Sequence, residues 1–76
     1  MLPMVDVNMD EARWAGALML EYQTQVQFMP QYQGDWVWWG TQLLLVPEFA
    51  ELMLPRPEQY TSWQEWARIV KLVLET

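Results

Sequence analysis

The chain has no cysteine and no histidine among its 76 residues. Without cysteine it can form neither a disulfide nor a thiolate metal site, and cysteine usage says nothing about its redox compartment. Without histidine it lacks the commonest general base and the commonest ligand of transition metals. A domain of this size must therefore be stabilised by burying apolar side chains, its own or those of a partner.

Basic side chains are scarce as well. Four Lys and Arg residues stand against ten Asp and Glu residues, so the formal net charge is −6. Binding to the phosphates of nucleic acids or to anionic lipids depends on Lys and Arg. The acids are spread evenly along the chain, whereas a mimic of DNA needs a dense array of them. We therefore expect no nucleic-acid partner and no membrane partner.

Long apolar runs and targeting segments are missing too. The longest uncharged stretch rich in apolar residues, residues 36–47, is too short to span a bilayer. The opening MLPMVD lacks the basic region and the apolar run of a signal peptide. We expect a protein that is not secreted by a signal peptide and that is made in a cytoplasm.

Residue types that carry out catalysis are few and poorly placed. The three glycines are scattered, so they form no phosphate-binding loop. The only serine, Ser62, stands at a predicted helix cap, and the only lysine, Lys71, on a predicted solvated face. Asp10 and Glu11 could exchange protons, but paired acids at this position are typical of a helix start. We expect neither enzymatic activity nor a cofactor.

One motif invites a calcium-binding interpretation. Asp6, Asn8 and Asp10 have the spacing that opens an EF-hand loop. The same loop requires a glycine where Glu11 stands and a bidentate glutamate where Ala17 stands. Because both positions are wrong, we predict no metal site.

Tryptophan, in contrast, is abundant. The chain is 53% hydrophobic and contains six tryptophans. Each indole side chain can bury roughly 150–250 Å². A single domain of 76 residues can scarcely enclose all six, so we expect some of them to face another protein.

The first predicted helix starts at Asn8, where Glu11 completes the spacing of a capping box. It runs to about Phe28, and Trp14 lies off its apolar stripe, which consists of Ala12, Ala15, Met19, Tyr22 and Val26. Residues 22–28 also alternate polar and apolar side chains, which is the period of a strand. A hairpin around residues 22–46 is therefore the alternative.

The segment GDWVWWG, residues 34–40, opens the second predicted helix, with Asp35 as its N-cap. As a helix over residues 36–46, it places two groups of side chains on different faces. One face carries Trp36, Trp39, Gly40 and Leu43, and the other carries Trp38 and Leu45. Gly40, without a side chain, would let a neighbouring element approach closely.

Two further helices are predicted downstream. Pro47 is well placed as the first residue of a short helix over residues 47–54. The last helix covers residues 62–75, with Thr61 or Ser62 as its cap. Its apolar face consists of Trp63, Trp66, Ala67, Val70, Val73 and Leu74.

We therefore predict an all-α fold, a small bundle of three to four helices, with α+β as the alternative. Residues 1–8 form an extended arm, and residues 9–76 form a single helical domain. The predicted core contains Trp36, Trp39, Leu43, Trp63, Trp66 and Val70. The predicted partner-binding residues, which fall off the inner stripes, are Trp14, Trp38, Ile69 and Leu72.

Residues 57–68, with the pattern P-x-x-Y-T-S-W-Q-E-W-A-R, carry a family resemblance. The segment resembles one found in small structural or accessory proteins of tailed bacteriophages, where a tyrosine and two tryptophans open a final amphipathic helix. The resemblance implies a virion-associated protein that works through assembly contacts, located in the virion or the host cytoplasm. It implies no catalytic or binding residue.

The expected function is that of a non-enzymatic protein–protein interaction module, a small structural or assembly protein of bacteriophage virions. Its partners are other proteins, either virion subunits or a host protein, and it is oligomeric or part of a larger assembly. The alternative is a small acidic phage-type inhibitor that binds a host enzyme or a defence complex.

Overall fold

The computed structural model describes residues 1–76 and consists of helices joined by irregular segments. Four α-helices follow one another along the chain, with a 3-10 turn at Pro57–Gln59 before the last of them. They are α1 (Glu11–Tyr22), α2 (Trp36–Leu44), α3 (Pro47–Ala50) and α4 (Trp63–Leu74). There is no strand, so the all-α prediction is confirmed and the hairpin around residues 22–46 is wrong.

Helix α1 starts later and ends earlier than predicted. Its N-cap is Asp10, whose carboxylate accepts the Ala12 N–H, while the Asn8 N–H donates to Asp6 in the preceding turn. The helix ends at Tyr22 rather than near Phe28. Beyond that residue the chain turns, with the Tyr22 carbonyl accepting two N–H groups. The predicted start and end of this helix are therefore both wrong.

The caps of α2 and α4 agree with the sequence-based prediction. The Asp35 carboxylate accepts the Val37 N–H at 3.0 Å, and the Ser62 hydroxyl accepts the Glu65 N–H at 3.3 Å. Both residues have extended backbones and short acceptor side chains, as N-caps require. These two caps fix where α2 and α4 begin.

Helix α3 begins at Pro47 as predicted but is shorter than predicted. Proline disfavours helical backbone in the residue before it, so Val46 is extended and separates α2 from α3. The helix ends at Ala50 instead of continuing to residue 54. Met53 then adopts a left-handed backbone with φ of 56°, which a continuing helix does not allow.

Side chains of α1 and α4 meet near both pairs of ends, so the two helices point in the same general direction. Near their first turns, the ring of Trp14 lies 6.3 Å from Trp63 and 6.2 Å from Trp66 between centroids. Near their last turns, the Tyr22 hydroxyl donates to the Leu74 carbonyl at 3.5 Å. Contacts between both pairs of ends therefore set the parallel arrangement.

The N-terminal segment, predicted as an arm separate from the helical domain, packs as part of the core. Leu2 is only 2% exposed, and Val5 is also buried. The Leu2 N–H donates to the carboxylate of Glu75 at 2.6 Å, which joins residues far apart in the sequence. Residues 1–8 are irregular in structure, but they belong to the domain rather than extending from it.

Trp66 lies at the centre of the core. Its indole ring contacts three other tryptophans, with centroids 6.2 Å away for Trp14, 5.8 Å for Trp36 and 6.0 Å for Trp39. These tilted and edge-to-face pairs are the arrangements that aromatic rings prefer. One residue of α4 thus connects α1 and α2.

The three fully buried tryptophans satisfy their indole N–H groups in the same way. Each donates to a proline carbonyl, Trp14 to Pro3 at 3.3 Å and Trp39 to Pro30 at 3.0 Å. Trp66 donates to Pro55, also at 3.0 Å. A buried donor without a partner is costly, and a proline in an irregular segment has a carbonyl that no helix uses. These bonds attach three irregular segments to the core.

Gly40 lies where α2 meets the 3-10 turn and α4. A Cβ atom there would lie 2.7 Å from the Cζ2 atom of Trp66 and 2.8 Å from the Cγ atom of Pro57. The absence of a side chain therefore permits the close approach that the sequence predicts.

Candidate functional site

The structure places the predicted core residues in or against the core. Four of them are almost fully buried, namely Trp39, Leu43, Trp66 and Val70. The other two, Trp36 and Trp63, are half-buried and pack against that cluster. The inner faces of α2 and α4 therefore agree with their predicted apolar stripes.

Trp14, predicted to face a partner, lies in the core instead. It is 1% exposed and packs between α1 and α4. The predicted stripe of α1 begins at Ala12, but Ala12 is exposed, and the buried face consists of Trp14, Ala15 and Leu18. Alanine fits either environment, so the larger side chains determine which face packs inward. Trp14 and Leu18, four residues apart, also have helical spacing, so periodicity alone allowed either face to be buried.

Trp38 is the most exposed of the six tryptophans, with 41% of its surface exposed. Leu45, seven residues later and two turns away, lies on the same side of α2 and is 71% exposed. Between them Gln42 is half-buried. We call Trp38, Gln42 and Leu45 the α2 surface.

Acidic residues lie at both ends of the α2 surface. Asp35 precedes the helix, Glu48 follows it in α3, and residues 36–47 contain no charged side chain. Both carboxylates are exposed. Each also accepts a backbone N–H, Asp35 that of Val37 and Glu48 that of Gln27 at 3.3 Å. The α2 surface is therefore apolar in the middle and negatively charged at its ends.

A second exposed apolar pair lies on α4. Ile69 is 36% exposed and Leu72 is 61% exposed, and the two residues are neighbours on the helix surface. A shallow open groove of about 350 Å³ runs beside Leu72, lined also by Arg68, Lys71 and Glu75. We call Ile69 and Leu72 the α4 surface. Unlike the α2 surface, it lies among charges of both signs.

The predicted partner-binding residues are divided between the core and two helices. Trp14 is buried in the core, Trp38 lies on α2, and Ile69 and Leu72 lie on α4. Leu45 completes the α2 surface, although the sequence-based prediction of the binding site did not include it. Other large apolar side chains are exposed mostly in irregular segments, where no periodicity can indicate them: Met1, Met4, Val7, Leu20, Phe28, Leu52 and Met53.

The polar groups near these surfaces have structural partners. The Tyr32 hydroxyl donates to the Glu11 carboxylate, and the Tyr32 ring packs edge-on against Trp39 at 5.8 Å. Burial raises the pKa of the Tyr32 hydroxyl, and the bond to Glu11 raises it further. Tyr32 therefore stays protonated and holds the loop before α2 against the start of α1.

The residues of the calcium-like motif make local bonds. Asp6 accepts the Asn8 N–H at 2.7 Å, and Asp10 caps α1. No three acidic side chains come together in an arrangement that could hold a metal ion. Nor does any helix have the length and apolar character needed to cross a membrane.

Comparisons of the chain with protein families, with curated proteins and with solved structures find no match. The resemblance of residues 57–68 to phage proteins therefore stays a prediction. In the structure this segment forms the 3-10 turn, the cap and the first half of α4. It supplies Pro57 and Trp66 to the core rather than a binding surface.

Proposed function

We propose that the chain is a non-enzymatic protein-interaction module that serves as a small structural or assembly component of bacteriophage virions. It contacts other proteins through the α2 surface and the α4 surface, as part of an oligomer or a larger assembly. The phage assignment depends on the resemblance of residues 57–68. The interaction role depends on the exposed apolar side chains.

The exposure of Trp38 is the observation that carries the interaction role. Three of the tryptophans are almost completely buried, whereas Trp38 points away from the core with 41% of its surface open. Tryptophan is enriched at the centres of protein interfaces, where covering it with a partner stabilises the complex. Leu45 extends the apolar area on the same side of α2.

The α2 surface alone is smaller than a standard stable interface between two folded proteins. Such complexes bury about 800 Å² on each partner, which is more than the three side chains of the α2 surface expose. The proposal therefore requires either the α4 surface as a second contact or repeated contacts with many copies. An assembly such as a virion provides repeated contacts by its symmetry.

The second candidate function is that of a small acidic inhibitor of a host enzyme or defence complex. The net charge of −6 favours it, because it would attract a basic target. The two candidates differ in stoichiometry. A virion component is present in symmetric copies on particles, whereas an inhibitor forms a discrete complex with one host protein.

The proposal can be tested by purifying the phage particles whose genome encodes this chain and identifying their proteins by mass spectrometry. We expect the chain in purified particles at a fixed copy number, and the Trp38→Ala variant should be incorporated poorly. Leu20→Ala is the matched control, because it removes an exposed leucine of α1 outside both surfaces. Absence from particles, together with a discrete complex with a host protein, would support the inhibitor instead.

A further inference from the structure

The charge pattern around the α2 surface favours one kind of partner. The helix spans nine residues, or about 13 Å at 1.5 Å per residue. An exposed carboxylate lies at each end, Asp35 before the helix and Glu48 after it. A partner segment lying along Trp38 and Leu45 would have to place its own ends beside these carboxylates.

Several carboxylates lie near Tyr32, in the loop before α2. Tyr32, which packs on Trp39, responds to three carboxylates there. Burial is the largest cause that raises its pKa, and the carboxylates of Glu11, Asp10 and Asp35 raise it further. The N-caps of α1 and α2 therefore bring their acids near one another.

None of the chain's own cations forms an ion pair with these acids. Arg56 pairs with Glu58 at 2.7 Å and Lys71 pairs with Glu75 at 2.5 Å, so neither cation pairs with Asp35 or Glu48. The remaining basic side chains, Arg13 and Arg68, lie on α1 and α4. No ion pair involves Asp35 or Glu48.

We propose that the α2 surface binds a protein segment in which Lys or Arg residues flank an apolar centre. The apolar side chains cover Trp38 and Leu45, and the cations lie beside Asp35 and Glu48. Complementary charges of this kind set the orientation of the partner and speed its association. The inference rests on the proposed function and specifies the chemistry of its partner.

Selection from a display library of random peptides tests the inference without assuming a sequence. Peptides of about 15 residues are long enough to cover α2. The wild-type chain is the target, and Trp38→Ala, checked by circular dichroism to be folded, removes peptides that bind elsewhere. We expect the remaining binders to carry Lys or Arg on both sides of an apolar centre.

A matched pair of double variants then tests the position of the charges. Asp35→Asn with Glu48→Gln keeps both hydrogen-bond acceptors, since asparagine is as good an N-cap as aspartate. Glu58→Gln with Glu65→Gln changes the net charge equally, at exposed positions outside the α2 surface. A selected peptide should bind about 30-fold more weakly to Trp38→Ala. It should bind about fivefold more weakly to the first double variant at low salt and nearly normally to the second.

The possible failures are distinguishable. Binders that depend on Trp38 but show no excess of Lys or Arg would overturn the inferred partner chemistry and leave the α2 surface as a binding site. Equal weakening by the two double variants would also overturn it, because it would show that only net charge matters. Absence of any binder that depends on Trp38 would contradict the α2 surface itself, and with it this part of the proposed function.

Discussion

Replacing Gly40 by alanine should destabilise the protein, although the same change usually stabilises a helix. In a helix interior alanine is favoured over glycine by about 1 kcal/mol. At position 40, however, the new Cβ would lie 2.7 Å from Trp66 and 2.8 Å from Pro57. Carbon atoms in contact prefer about 3.5–4.0 Å, so both neighbours would have to move by roughly 1 Å.

Neither neighbour can move freely. The Trp66 indole donates to the Pro55 carbonyl and contacts tryptophan rings on α1 and α2. Pro57 is buried, and its pyrrolidine ring is rigid. Overpacking at such a site costs typically about 1–3 kcal/mol. Since two rigid groups are displaced, we expect the upper part of this range. After the gain in helix propensity, a net loss of about 2 kcal/mol remains, or a melting temperature about 8–16 °C lower.

Gly16 provides the matched control, because it lies inside α1 and a Cβ there would meet nothing within 4 Å. Gly16→Ala should raise the melting temperature by a few degrees, since it gains only helix propensity. Thermal unfolding followed by circular dichroism would compare the two variants. If Gly40→Ala stabilised the protein as Gly16→Ala does, α2 could not pack against Pro57 and Trp66 as described.

The remaining predictions concern stability as well. Trp66→Ala should cost about 3–5 kcal/mol, enough to unfold the domain. Trp38→Ala should cost much less, because 41% of Trp38 is exposed, and similar losses in thermal unfolding for both variants would show that Trp38 is also core. Met53→Gly should raise the free energy of unfolding in urea by about 0.5–1 kcal/mol by relieving the left-handed backbone at φ 56°, and a loss would argue against that conformation. The hydrogen bond from Lys71 lowers the pKa of Glu75 below its ordinary value of 4.5, and the bond from the Leu2 N–H lowers it further. The ionised carboxylate therefore stabilises the fold above pH 4.5, and this contribution is lost as the pH falls through the lowered pKa. Melting temperatures measured across this acidic range should fall less steeply for Glu75→Gln, and an identical slope would contradict the role of Glu75.

Local interactions made several features of the fold predictable from the sequence. Asp35 and Ser62 cap their helices because a short acceptor side chain needs only N–H groups two or three residues away. Pro47 starts α3 because its ring sets its own backbone and that of the residue before it. The division of α2 into a face with Trp39 and a face with Trp38 follows from helical geometry alone.

At the start of α1, local hydrogen bonding allowed more than one residue to act as the N-cap. Asn8 and Asp10 are both good caps, and the sequence-based prediction selected the wrong one. In the structure the Asn8 N–H donates to Asp6, so the chain is still turning at that point. Because the Met9 N–H also donates to the Asp6 carbonyl, residues 6–9 form a turn and the helix starts only after Asp10.

Only the tertiary structure decided where α1 ends and which of its faces is buried. Val26 enters the core from a turn, and the next residue donates its N–H to Glu48 on α3. Trp14 faces inward because Trp63 and Trp66 of the parallel helix α4 lie beside it.

The burial of the N-terminal segment could not be predicted from the sequence either, because the Leu2 N–H donates to Glu75 at the other end of the chain. The caps of α2 and α4 and the two faces of α2 depend on residues a few positions apart, so the sequence indicates them directly. Contacts such as this one join residues tens of positions apart, and they exist only once the helices have packed.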